Sequence, residues 1–173
     1  MQVLFTAFLK IALRQAGPDC LPASAFLLGI AGGLYALSQV VTGVVVGYGA
    51  HPRLFLTVLV DLALLGGFAW AVLRIGGHPE RFGQTLTALF GTGFLLALAN
   101  LPFSLWLDSV PPGATQPAIA MVAILGLLFW SVMIGGHIYS RALSQSAAVG
   151  LLIAVLYLFV NLVVVLPILP EPN

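Results

Sequence analysis

The sequence predicts an all-α fold, a polytopic transmembrane bundle of five spans plus a short N-terminal interfacial helix, and three observations lead there. Hydrophobic residues make up 61% of the chain and charged ones 6%, against about 25% charged in a soluble domain. Mean hydropathy is +1.12. A soluble domain of this size leaves roughly a third of its chain surface in water, and six Lys and Arg with five Asp and Glu cannot cover it. Apolar runs of about 20 residues, the length that spans a bilayer, recur along the whole chain.

The first element is MQVLFTAFLKIAL, apolar but too short to span, and Arg14, Gly17, Pro18 and Asp19 interrupt the run. Residues 1–14 are therefore expected to lie in the membrane boundary. A signal peptide carries its positive charge ahead of the apolar core, whereas Lys10 and Arg14 come late or after it, so the segment is expected to be retained. The spans follow at about 25–47, 54–75, 84–107, 117–139 and 145–168, each bounded by Gly, Pro or charged residues. The links YGAHPR, GGHPERF, DSVPPGATQ and a turn around Arg141 are too short for a soluble domain, which leaves one membrane domain over residues 1–173. Pro102 is expected to kink the third span. No duplicated half of the transporter kind is present.

Charge sets the expected orientation. Lys10, Arg14, Arg74, Arg81 and Arg141 fall on the side of the N-terminus and Arg53 alone on the other. The positive-inside rule then puts the N-terminus in the cytoplasm and the C-terminus outside, as for a multi-pass inner-membrane protein. Trp70 and Trp106 fall near the two boundaries, and Trp130 lies deeper as a packing residue. A net charge of +1 supplies no basic stripe, so nucleic acid is excluded as a partner. The single cysteine, Cys20, excludes a disulfide framework or CxxC site.

Small and polar residues recur at spacings of three and four, which puts them on one helical face. The stripes are Gly29, Gly33, Ala36, Val40, Gly43 and Gly47 in the first span, Gly93, Ala97, Asn100 and Ser104 in the third, and Ala147, Gly150, Ala154, Tyr157 and Asn161 in the fifth. Helices in lipid associate through such faces because small residues let backbones approach, so Gly29, Gly33, Gly43, Gly47, Gly93 and Gly150 are expected at helix contacts. Depth is more informative. Gln39, Asp61, Asn100 and Asn161 all lie seven or eight residues inside the same boundary, roughly 10–12 Å at 1.5 Å per residue. Four spans thus offer a polar group to one layer. An ionised Asp61 facing lipid would cost at least about 2.5 kcal/mol, so it should face inward and accept hydrogen bonds from the Asn100, Asn161 or Gln39 amides. Such a layer fits either a polar clamp between helices or a proton or cation site.

A second group, His78, Glu80 and Arg81 in the second loop with His137, Tyr139 and Arg141 at the end of the fourth span, could in principle bind zinc. No spacing that a helix would enforce joins the two histidines, so loop charges at the boundary are the expected role. No metal site and no cofactor are expected. The chain holds no GxSxG, GxxxxGK[ST] or GxGxxG motif and no paired membrane acids, so no catalytic residue is assigned and no enzyme is expected.

GGHPERFGQTLTALFGTGFLLALANLP over residues 76–102, LLFWSVMIGGHIYSRALSQSAAVGLLIAVLYL over 127–158 and the lead-in ALRQAGPDCLPAS over 12–24 resemble the Yip-type family of small five-span membrane proteins, in its bacterial form. The acidic-aromatic N-terminal region of eukaryotic members has no counterpart ahead of the first span, so the resemblance implies the membrane architecture only. The function expected is that of a non-enzymatic scaffold or accessory subunit, with the lipid bilayer and another membrane protein or a second copy as partners. The alternative is a small transporter or channel centred on Asp61.

Overall fold

The computed structural model describes residues 2–48, 51–111, 115 and 117–169, and these form helices and turns with no strand among them. In chain order the helices are α1 (Gln2–Ala12), α2 (Ala25–Gly43), α3 (Pro52–Ile75), α4 (Phe82–Asp108), α5 (Ala118–Leu143) and α6 (Ala147–Val165). The last five, with the short turns that extend them, are long and apolar enough to cross a membrane. Such a set marks a multi-pass membrane protein.

Local chemistry sets the helix ends. Ser24 and Ser146 accept the backbone N–H of Leu27 and Val149, and so cap the starts of α2 and α6. Pro52 opens α3 at a position whose N–H would have no helical partner. The ends of α1, α3 and α5 are closed alike, by a left-handed residue: Arg14, Gly77 and Ser144. In each the next N–H reaches back to the carbonyl five residues earlier, Gln15 to Lys10, His78 to Leu73 and Gln145 to Ser140.

The structure moves one expected boundary. The turn placed around Arg141 is helix, since α5 runs on to Leu143. Its Ala142 carbonyl is satisfied from the turn before α4, because Arg81 donates to it at 2.8 Å and to the Ser144 hydroxyl at 2.9 Å. Helix α4 continues through Pro102 to Asp108. The N-terminal helix does not stay at loop level: Phe8 meets Gly91, nine residues inside α4 and about 13 Å from its start. Ile11 and Ala12 are buried against Ala88, Ile134 and Ile138 of α4 and α5. Trp130 therefore serves as a hydrogen-bond donor, reaching the Ala12 carbonyl at 3.0 Å while remaining half-exposed, and His137 Nε2 lies 2.9 Å from the Ala16 carbonyl.

The closest packing joins α5 to α6, α2 to α4 and α4 to α5, while α3 touches α2, α4 and α6 more sparsely. Arg14, Arg74, Arg81 and Arg141 gather at one end of the bundle, hereafter the basic end. There α5 and α6 meet backbone to backbone. A Cβ on Gly150 would strike the Gly136 carbonyl and lie 2.7 Å from the Ser140 nitrogen, and one on Gly136 would lie 2.9 Å from Leu151 Cα. Gly43 passes Leu54, and a Cβ on Gly93 would lie 2.8 Å from the Tyr35 ring.

Two expected packing glycines are elsewhere. Gly29 and Gly33 are exposed, with nothing within 4 Å of a Cβ. The inward face of α2 is Leu27, Ala31, Tyr35 and Ser38, so the expected stripe follows the correct period with its first half turned away from the neighbours. Gly47, where a Cβ would lie 3.7 Å from Asp108 Oδ1, has φ +86°, which ends the helical path where a side chain would be strained.

These contacts separate glycines that look alike in sequence. Gly150→Ala forces two backbones apart and should lower stability by about 1–3 kcal/mol, whereas Gly29→Ala should be neutral or stabilising by up to about 1 kcal/mol. Thermal melting of the two variants in lipid nanodiscs checks this, and equal melting would refute the assigned contacts.

Candidate intramembrane site

Asp61 lies in the tenth position of α3, nine residues from Pro52, and is 6% exposed. A carboxylate has only acceptor oxygens, so its burial depends on donors from neighbouring helices. Three reach it. Tyr35 of α2 donates its hydroxyl to Oδ2 at 2.7 Å, Asn161 of α6 donates its amide to Oδ1 at 2.6 Å, and the Tyr157 hydroxyl lies 3.5 Å from Oδ1. Asn161 also donates to the Tyr157 oxygen, and Gln39 to the Tyr35 oxygen, both at 3.3 Å. One carboxylate thus ties α2 and α6 to α3, the helix with the sparser packing.

Small residues make this network possible. Gly93 of α4 leaves space for the Tyr35 ring to cross that helix, and Phe90 stacks on it at 5.4 Å between centroids. Phe68 supports the Tyr157 ring at 5.2 Å, and the Tyr139 ring edge-on at 6.1 Å. Tyr35 and Tyr157 are held by carbon on their ring faces and by hydrogen bonds at their hydroxyls.

The expected layer of Gln39, Asp61, Asn100 and Asn161 divides in the structure. Asn161 bonds Asp61 directly and Gln39 reaches it through Tyr35, but Asn100 donates to Ser104 in its own helix at 2.9 Å. All four nonetheless line one cavity of about 460 Å³ together with Tyr35, Tyr139 and Tyr157. Its volume lies in the range of small-molecule sites, about 300–1,000 Å³. The walls are mostly apolar, supplied by α4, α5 and α6, with Leu96, Leu127 and Ile134 among them. Beyond the close contact of Gly136 and Gly150, α5 leaves the core: between Ala120 and Ile134 none of its residues is buried. The cavity fills the space that this leaves.

Sequence reasoning did not assign the tyrosines as donors. Their spacing held the signal, because Tyr35 and Gln39, and likewise Tyr157 and Asn161, stand four apart, one above the other on a helix face. The Tyr139 hydroxyl is the exception. Tyr139 is 1% exposed, and its oxygen is the one buried side-chain polar atom among the described residues that has no hydrogen-bond partner.

The histidines are apart. His78 Nδ1 pairs with Glu80 at 3.4 Å on the turn before α4, where Glu80's own backbone N–H and then His78 hold its carboxyl below the usual range, and His137 is bonded to the Ala16 carbonyl. Among the described residues no three His, Cys, Asp or Glu come together as a metal-binding group. Cys20 is exposed on the turn Pro18–Cys20, its thiol raised above its ordinary value by desolvation and by the Asp19 carboxylate. Comparison with family models, curated proteins and solved structures finds no match.

Replacing Asp61 tests the network. Asp61→Leu leaves Tyr35, Tyr157 and Asn161 without their acceptor and should cost about 2 kcal/mol or more, at roughly 0.6–2 kcal/mol per interhelical hydrogen bond. Asp61→Asn keeps shape and one acceptor oxygen, and should cost less than half as much. Chemical or thermal unfolding in a bilayer mimetic orders the two, and an Asp61→Leu variant as stable as wild type would dissolve the assigned bonds.

Proposed function

We propose that this chain is a non-enzymatic, multi-pass inner-membrane protein that holds a small molecule in the cavity bordering Gln39, Asp61, Asn100 and Asn161. The observation that carries this reading is that cavity: a helix clamp alone needs its polar layer sealed, whereas here four polar residues border a half-open space of about 460 Å³ between the helices. This favours the transporter-type alternative over a pure scaffold, with Asp61 as the group that organises the site. The scaffold or accessory role, with another membrane protein or a second copy as partner, is the second reading. It draws support from Asp61 itself, whose oxygens already accept three hydrogen bonds from this chain. The Yip-type resemblance enters the proposal for the arrangement of spans only.

The deciding experiment fills the cavity without touching the network. Ala97 lines it from α4, and Ala97→Phe adds a ring to the space. Wild type and Ala97→Phe are melted in nanodiscs against a panel of alkyl compounds with hydroxyl, amine and carboxylate heads. The proposal predicts that at least one raises wild-type melting by several degrees and that Ala97→Phe loses the response. A wild type that responds to none overturns it.

The proposal also places the N-terminus in the cytoplasm and the C-terminus outside, from the bias of Lys and Arg. Cys20 reports on this as the only thiol. Because its pKa is raised, the thiolate fraction is smaller than for a free cysteine at any given pH, so alkylation should be slow near neutrality and accelerate as pH rises. At mildly alkaline pH an impermeant maleimide should label Cys20 in inverted membrane vesicles and not in intact cells. The opposite pattern would reverse the orientation.

A further inference from the structure

We infer that a second cavity, at the basic end, binds a head that carries a phosphate and a primary ammonium together, the phosphoethanolamine of an ethanolamine phospholipid. This site is separate from the intramembrane cavity and does not depend on it.

The cavity holds about 330 Å³ between the turn Pro18–Cys20, the start of α4 and the end of α5, with Asp19, Arg81, Gln84, Arg141 and Ser144 on its walls. That volume lies at the lower end of the range of small-molecule sites, about 300–1,000 Å³. Helices α4 and α5 are both of spanning length, so the ends that meet here lie where a bilayer has its headgroups. A lipid head reaches this place without leaving its membrane.

Charge selects the head. Asp19 and Arg141 stand side by side, since a Cβ on Gly17 would meet Asp19 Oδ1 and lie 3.2 Å from Arg141 Cβ. Yet among the described residues neither side chain has an ion pair or a hydrogen bond, with the other or with any third group. One wall thus offers an unpaired carboxylate beside an unpaired guanidinium. A phosphate alone would meet Asp19 without compensation, and an amine alone would meet Arg141 and Arg81. A ligand of both charges answers both groups.

The remaining walls are held in place and keep donors to spare. Arg81 Nε faces Glu80 at 3.8 Å and Nη1 donates to the Ala142 carbonyl and the Ser144 hydroxyl, which leaves Nη2 without a partner among the described residues. Ser144 accepts that bond and its own proton is unspent, so it can donate to a phosphate oxygen. Gln84 donates to the Leu21 carbonyl at 2.7 Å, which ties the turn bearing Asp19 to α4. A primary ammonium suits Asp19 better than a choline head does, because it brings N–H donors to the carboxylate oxygens and a quaternary nitrogen brings none. No aromatic ring lines the cavity to receive a quaternary ammonium instead.

The test places the full chain in nanodiscs of phospholipids with identical acyl chains and an ethanolamine, choline or glycerol head, and measures the lipid that stays bound by native mass spectrometry. Wild type should retain the ethanolamine lipid over both others by about fivefold, the scale of one hydrogen bond. Asp19→Asn should bring ethanolamine down to the level of choline, and Arg141→Gln should lower retention of all three. Both exchanges alter exposed side chains that have no bonds to lose, so both variants should melt as wild type does. Soluble glycerophosphoethanolamine separates the sources of the head: displacement of the lipid by it makes the free compound a ligand as well, and failure to displace leaves the membrane lipid as the ligand, the head assignment holding in both cases. Equal retention of the three lipids by wild type, an ethanolamine preference unchanged in Asp19→Asn, or retention unchanged in Arg141→Gln would overturn the site.

Discussion

The bundle depends on one buried carboxylate. In lipid the apolar faces of helices have no drive to leave their surroundings, so association rests on close packing and on polar groups that have nowhere else to bond. Helices α2, α4, α5 and α6 meet that requirement by packing, most tightly where Gly136 and Gly150 let two backbones touch. Helix α3 packs more sparsely, and Asp61 compensates by accepting from Tyr35 on one side and Asn161 on the other. The same residue fixes where the phenol rings lie, and so fixes the polar border of the cavity. Structure and candidate site therefore share a centre.

That sharing explains the shape of the interior. Near the basic end, α5 is mostly buried from Ile134 onward and seals the bundle together with α1 and the turn after it, where the Ala12 and Ala16 carbonyls are held by Trp130 and His137. Between Ala120 and Ile134 no residue of α5 is buried, and space opens against α4 and α6. Arg81 keeps the sealed end in register by closing the C-terminus of α5.

Much of this was legible in the sequence because it follows from length and depth. Five runs of spanning length lead to five helices, and counting residues from one boundary brings Gln39, Asp61, Asn100 and Asn161 to one cavity. What escaped depends on phase and reach. Periodicity gives the repeat of a helix face but not which neighbour it meets, so Gly29 and Gly33 share a spacing with Gly43 and face outward. The end of α5 escaped because Arg141 looks like a loop residue until Arg81 is seen to cap the carbonyls beside it. Tyr35 and Tyr157 count among the hydrophobic residues of the composition, yet their hydroxyls are the donors that reach Asp61. Helix α1 is short and apolar, and its sequence did not show which neighbours it meets: Ile11 and Ala12 pack on Ala88, Ile134 and Ile138.

The central claim is that Asp61 couples α3 to its neighbours through specific hydrogen bonds, and a double-mutant cycle measures it most directly. Unfolding free energies of wild type, Asp61→Leu, Asn161→Leu and the double variant, taken in one bilayer mimetic, yield the coupling between the two side chains. The account predicts that the two losses are strongly non-additive, with a coupling of about 0.5–2 kcal/mol. Additive losses, with no coupling beyond the error of the measurement, would contradict it.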